Sequence, residues 1–223
     1  MQDPTLAAKN ATYHGMFETP LIRSIIPDAG ILNNRLKTVI EARRKTNSVS
    51  HRSNIDGWQS DTHMLQWGGD AVKELGVQIL HILGRFTTDV GQTDPNKPRF
   101  EWSAEMWANI CPTGSFHESH SHPGSLWSAV YYVDDGRDVE DAADSSGRLV
   151  LQDPRHPMPM MYKPDMRIVN ERGEYQAPEV RVAPKSGELV IFPAWLLHWV
   201  EPHRGSRERI SVAINFLTLP ARE

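Results

Sequence analysis

The sequence predicts a mainly β protein with N-terminal helices and a jelly-roll (double-stranded β-helix) core. Three observations carry that expectation. Apolar residues recur at helical spacing only in the first ninety or so positions. From Arg99 onward the period changes to two. About eight short strand-like runs then follow, each closed by a turn signal, the pattern of a sandwich or jelly roll.

The elements follow in order. Phe17–Pro27 reads as a short extended segment carrying Leu21, Ile22, Ile25 and Ile26. Leu32, Leu36, Val39 and Ile40 recur at helical spacing, with Arg35, Lys37, Glu41, Arg43 and Arg44 opposite. Asn47–Gly57 is polar and reads as loop. Val72, Leu75, Ile79, Ile82, Leu83 and Phe86 form one stripe of a second helix, with Asp70 as N-cap and Gly91 as a nearby stop. Trp102, Ala104, Met106, Ala108 and Ile110 then alternate with Glu101, Ser103, Glu105, Trp107 and Asn109, which is strand chemistry. Further strands are expected at Phe116–His122, Leu126–Val133, Arg148–Leu151, Met166–Val169, Val180–Ala183, Leu189–Phe192 and Arg209–Leu217. Acidic Asp134–Asp144 reads as a solvated loop, and Pro154–Pro164 as an irregular lid or substrate loop. The whole chain, 1–223, is expected to be one domain, with a helical support region at 17–91 and the β-helix core at 99–219.

Composition narrows the partners. With 223 residues the chain can bury a core without staples. A net charge of -4 gives no phosphate-tracking surface, so no nucleic-acid partner is expected. The single cysteine, Cys111, excludes an intramolecular disulfide and fits a reducing interior. The N-terminal stretch has no apolar core of a secretory signal, and no run is long enough to span a bilayer. A cytoplasmic protein without membrane attachment is the expectation. No feature announces the substrate, small molecule or peptide, and none establishes a homodimer.

Three segments carry chemistry. In HESHSHPGS, residues 117–125, His120 and His122 share one face of a regular strand, Glu118 lies on that face too, and His117 lies opposite. An HxH pair alone is more often structural than ligating. In GELVIFPAWLLHWV, residues 187–200, Gly187 permits a turn, Leu189–Phe192 reads as a buried strand, and His198 starts another. Alone, His198 would be a core histidine bonded to a carbonyl. In RISVAINF, residues 209–216, Ile210, Val212, Ile214 and Phe216 form one face and Arg209, Ser211, Ala213 and Asn215 the other. A buried Arg must be paired or it costs roughly 3–5 kcal/mol. Its fork suits a carboxylate, and one of the chain's own acids is as good a candidate as a ligand's. Together the three segments suggest three imidazoles holding one face of a metal's octahedron and leaving positions open, as non-haem Fe(II) oxygenases require.

With these residues the sequence resembles the Fe(II)/2-oxoglutarate-dependent dioxygenase superfamily, and more narrowly the uncharacterised bacterial and phage 2OG-Fe(II) oxygenases. The resemblance runs over roughly Pro20 to Leu219 and rests on HSHPGS…YYV, GELVIFP…H and R-I-S. It implies Fe(II) held by His120, His122 and His198, with 2-oxoglutarate as cosubstrate. Arg209 would bind the distal carboxylate, assisted by Ser211 and Tyr132, with Asn215 lining the pocket. It implies oxidation of 2-oxoglutarate to succinate and CO2 coupled to hydroxylation of a C–H bond. Trp195, Leu196, Leu197 and Trp199 would help keep the site dry, unless they are plain core. His122 departs from the family's HxD pattern and removes one negative charge from the metal site, with Glu118 a candidate substitute.

Two other readings compete. In a three-histidine cupin, a 2-oxoglutarate-independent dioxygenase or isomerase, Arg209 would have no role. The cupin motifs are incomplete here: residues 123–128 read PGSLWS, without the expected Glu, and Trp195 replaces a glycine. The other is an inert jelly roll that only binds. In every reading the apolar face of 209–216 needs a cover, and the two helices are expected to pack on the outer face of the major sheet.

Overall fold

The period-two segments pair into two antiparallel sheets that face each other. The computed structural model describes residues 11–47, 53–94, 97–137, 146–161, 163, 165–175 and 177–221. In chain order the strands are β1 (Ile22–Ile25), β2 (Asn54–Ile55), β3 (Trp58–Gln59), β4 (Phe100–Cys111), β5 (Phe116–His120), β6 (Trp127–Asp134), β7 (Leu149–Gln152), β8 (Glu179–Val182), β9 (Glu188–Pro193), β10 (His198–Val200) and β11 (Arg209–Pro220). The helices are α1 (Ala29–Thr46), α2 (Met64–Trp67) and α3 (Gly69–Phe86). The larger sheet has the order β1-β9-β6-β11-β4-β3 and the smaller β2-β5-β10-β7-β8.

The alternation within β4, β6, β9 and β11 separates two environments. Outward residues such as Ala108, Tyr131, Ile191, Val212 and Ile214 join Leu36 and Ile40 of α1 and Leu75, Ile79 and Leu83 of α3 in one buried cluster. Fully burying one such aliphatic side chain stabilises by about 1.5–3 kcal/mol. The helices therefore cover the outer face of the larger sheet, as the amphipathic stripes require. Inward residues Tyr132, Val190 and Phe192 meet Leu149, Leu151, Val182 and Leu196 across the sandwich. Gly187 opens β9 at φ 83°, and a Cβ there would sit 2.6 Å from the Ala29 Cβ, so glycine lets α1 approach.

Several expectations are corrected. Met166–Val169 is not a strand: it makes one isolated bridge, Val169 to Tyr175, and Ile168 is 85% exposed, so no neighbouring strand covers it. Gly68, not Asp70, is the N-cap of α3; Asp70 stands in the first turn, where a carboxylate still favours the helix dipole. α3 ends at Phe86 because Thr87 is extended, before Gly91 is reached. The polar 47–57 stretch includes β2, which pairs with β5; residues 48–52 lie outside the described residues. The extended segment near residue 20 is β1, paired with β9. Of the acidic loop, Asp134 ends β6 and pairs with Lys37 and Arg207, while 138–145 lie outside the described residues. In the 154–164 stretch Met158–Met160 forms a 3-10 turn; residues 162 and 164 lie outside the description. Among the described residues no helix is long and apolar enough to cross a membrane.

Candidate metal centre

Three imidazoles converge at one end of the sandwich. His198 opens β10 directly across from His120, the last residue of β5. His122 lies just past the strand, in the turn before Pro123 and Gly124, and not on the strand as the HxH spacing suggested. Its backbone N–H donates to Ala194 O at 2.8 Å, fastening that turn to the one preceding His198. Ring centroids are 4.4 Å (120–198), 4.9 Å (120–122) and 5.1 Å (122–198) apart. One ligand nitrogen from each lies within 4.8 Å of the others.

The rings are oriented for ligation. His198 Nδ1 bonds Leu196 O at 2.8 Å and His120 Nδ1 bonds Glu118 O at 2.6 Å. A carbonyl can only accept, so both rings carry their proton on Nδ1 and turn an Nε2 lone pair to the centre. Ser53 Oγ approaches His120 Nε2 at 3.5 Å, too far to occupy that lone pair. Burial, and then the neighbouring His120, push the His198 pKa down to about 3; burial also lowers that of His120. Both are thus held in the neutral form that ligates. This all-nitrogen set of three suits iron and leaves coordination positions open.

Glu118 is not part of the group: it is exposed, and His117 faces inward in its place. The cause is a bulge. His120 pairs with His198 and His117 with Val200, so three steps on β5 oppose two on β10. The extra residue reverses the facing of 117 and 118 relative to a regular strand.

The cavity running inward from the histidines ends at Arg209. Its guanidinium is buried, with Nη1 donating to Gly147 O at 3.1 Å and Nη2 to Cys111 Sγ at 3.2 Å. Nε has no partner, and among the described residues no Asp or Glu pairs with the group. Buried His203 braces the turn that presents the Gly147 carbonyl: its Nδ1 lies 3.1 Å from Ser146 Oγ, and Gly147 N donates to Pro202 O. Ser211 stands opposite Asn109 on one side and Tyr132 on the other, all lining the cavity. Asn109 Oδ1 is a second buried polar atom without a partner. Burial pushes the Tyr132 phenol up to about 12, which keeps it a hydroxyl donor. The orphaned Nε, a donor on a guanidinium with no acidic partner among the described residues, fits a carboxylate-bearing ligand.

Asn215 lines the same cavity at its other end. It is six residues beyond Arg209, about 20 Å along the strand at about 3.3 Å per residue. His122 packs edge-on against Trp107 at 5.9 Å, and Trp107 pairs with Ala213, so the histidines lie between the two. Asn215 accepts from Ser128 Oγ at 2.8 Å and faces the outer side of the histidines, not the guanidinium. The apolar run before His198 divides: Leu196 is buried in the core, whereas Trp195 is 55% exposed and Leu197 41% exposed. His117 was missed as a cavity residue, since a bulge has no signature in the period-two pattern.

A family model described as "Putative 2OG-Fe(II) oxygenase" matches residues 105–215, which contain every residue of this cavity except Ser53. No curated protein matches the sequence significantly. Among solved structures, a Pseudomonas putida prolyl-4-hydroxylase is similar at 18% identity and TM-score 0.56, over 92% of this chain and 94% of that one. A Trichoplax adhaerens prolyl hydroxylase, in complex with a hypoxia inducible factor oxygen degradation domain peptide fragment, is similar at 13% identity and TM-score 0.59, over 88% and 83%. HygX from Streptomyces hygroscopicus, with nickel and 2-oxoglutarate bound, is similar at 13% identity and TM-score 0.54, over 89% and 82%. These likenesses show a shared fold. The family match, on the stretch that carries the three histidines and Arg209, places this chain among the Fe(II)- and 2-oxoglutarate-dependent oxygenases.

Proposed function

We propose that His120, His122 and His198 hold Fe(II), that Arg209 holds the distal carboxylate of 2-oxoglutarate, and that the enzyme hydroxylates a C–H bond of a small-molecule or peptide substrate. The observation that carries the cosubstrate assignment is Arg209, buried without an acidic partner among the described residues, in the cavity that the histidines line. A permanently charged guanidinium left so is costly unless a ligand's carboxylate completes it. Iron with 2-oxoglutarate supplies the oxidising chemistry: O2, 2-oxoglutarate and substrate C–H give succinate, CO2 and C–OH.

The chain's own residues bind and orient. The Arg209 fork takes the carboxylate, and the Tyr132 and Ser211 hydroxyls donate to it. Phe192, whose ring lies 4.8 Å from that of His198, shields that imidazole from water. His122 replaces the acid usual at the second ligand position, so the protein contributes no negative charge to the metal and the cosubstrate supplies it instead.

Anaerobic titration of the Fe(II) protein with 2-oxoglutarate tests the reading through the visible metal-to-ligand charge-transfer band. The band is expected in the wild type and absent in Arg209→Ala. Iron binding without the band would favour a 2-oxoglutarate-independent three-histidine protein, which the third imidazole alone would suit.

A further inference from the structure

His117 is buried against the base of the cavity, yet iron ligation does not use it. Its Nε2 lies 3.6 Å from Cys111 Sγ, and the same sulfur lies 3.2 Å from Arg209 Nη2. Cys111 and Arg209 are cross-strand partners in the β4–β11 ladder, while His117 comes from β5 in the opposite sheet. His117 and Arg209 thus line the cavity from two sheets, with the Cys111 sulfur in contact with both. The thiol is a weak partner for either neighbour. A buried imidazole gains more from the oxygen of a charged ligand than from a thiol. Beside a fixed guanidinium the ring is held neutral by its burial and by that charge, so it adds a directional N–H without adding repulsion.

We propose that His117 is a recognition residue for the cosubstrate's distal carboxylate, donating an N–H to it from the β5 side while Arg209 grips it from β11. The Cys111 sulfur spaces the two donors. This rests on the assignment of Arg209 to 2-oxoglutarate. It makes the pocket specific for a dicarboxylate through two donors from facing sheets, and it gives the β5 bulge a purpose, since an unbulged strand would turn His117 outward.

The test is calorimetric titration of the Ni(II)-loaded protein with 2-oxoglutarate and with oxalate, which keeps a metal-chelating end but has no distal carboxylate. A hydrogen bond to a charged group predicts that His117→Ala weakens 2-oxoglutarate binding by about ten-fold or more. Oxalate binding is expected to stay at the wild-type value, and His117→Gln, which keeps an N–H donor, to recover most of the loss. Unchanged 2-oxoglutarate affinity in His117→Ala overturns the proposal. So does an equal loss for both ligands, which would mean that His117 only supports the metal end. Arg209→Ala separates the two readings. If it abolishes 2-oxoglutarate binding while His117→Ala does not, only His117's role fails. If Arg209→Ala leaves binding intact, the assignment of the pocket itself fails.

Discussion

His198 lies directly across the β5–β10 ladder from His120, their ring centroids 4.4 Å apart although 78 positions separate them in sequence. Directly opposed residues on one face of an antiparallel pair have Cβ atoms about 5 Å apart, so two imidazoles there share a ligand without any loop having to close. One divalent ion per chain is therefore expected in a metal titration. Losing either ring, by His120→Ala or His198→Ala, should weaken binding by about a hundred-fold or more. Glu118→Ala should bind as the wild type does, because the bulge turns that side chain to solvent. A loss with Glu118→Ala equal to that of a histidine variant would refute the three-nitrogen site.

Stability of the metal-free protein should depend on pH through His198. Its folded pKa, about 3, lies below the unfolded value of about 6.5. Between those values the unfolded chain binds more protons, so stability falls as pH falls through that window. From pH 7 to pH 5 this one group removes about 2 kcal/mol. Urea denaturation at the two pH values measures it, and His198→Asn should lose less by about that amount. Equal losses in both proteins would show that burial of this ring is not the cause.

Arg209→Met should separate binding from stability. The guanidinium has a carbonyl and a thiol as partners and an unbonded Nε, so its burial is poorly compensated. An unbranched, apolar methionine fills part of the space without that cost. The cosubstrate-free variant is expected to be as stable as the wild type or more stable by about 1 kcal/mol or more, while 2-oxoglutarate no longer shifts its melting temperature. A destabilisation of several kcal/mol would mean that the arginine is a structural element of the sheet.

The helices should contribute to stability without entering the site. Leu75 of α3 is fully buried against the outer face of the larger sheet. Leu75→Ala should cost about 2–5 kcal/mol in chemical denaturation. Metal affinity of the folded variant should stay unchanged, because the cavity lies on the other face of that sheet. A parallel drop in metal affinity would contradict the two-face description.

Much of this was legible in the sequence because it depends on local periods. Leu32, Leu36 and Ile40, or Ile210, Val212 and Ile214, declare a face through spacing alone, and that face must be covered. The order His120, His122, His198, Arg209 likewise stands in the chain. Each remaining feature was decided by a residue distant in sequence. The period of two put Glu118 beside His120 and turned His117 away, and a single extra residue opposite Val200 reversed both. Exposed Met166 and Ile168 looked like a strand, but a strand needs a partner, and among the described residues the assembled sheet offers them none.

By itself, then, the sequence determined the two sheets' apolar faces, the helices that cover one of them, and the set of imidazoles. Whether Arg209 was neutralised by one of the chain's own carboxylates remained open at that level, because an ion pair depends on positions in space and every Asp and Glu was a candidate. The tertiary structure surrounds Arg209 with Gly147, Cys111 and His117, and among the described residues it brings no Asp or Glu to the guanidinium.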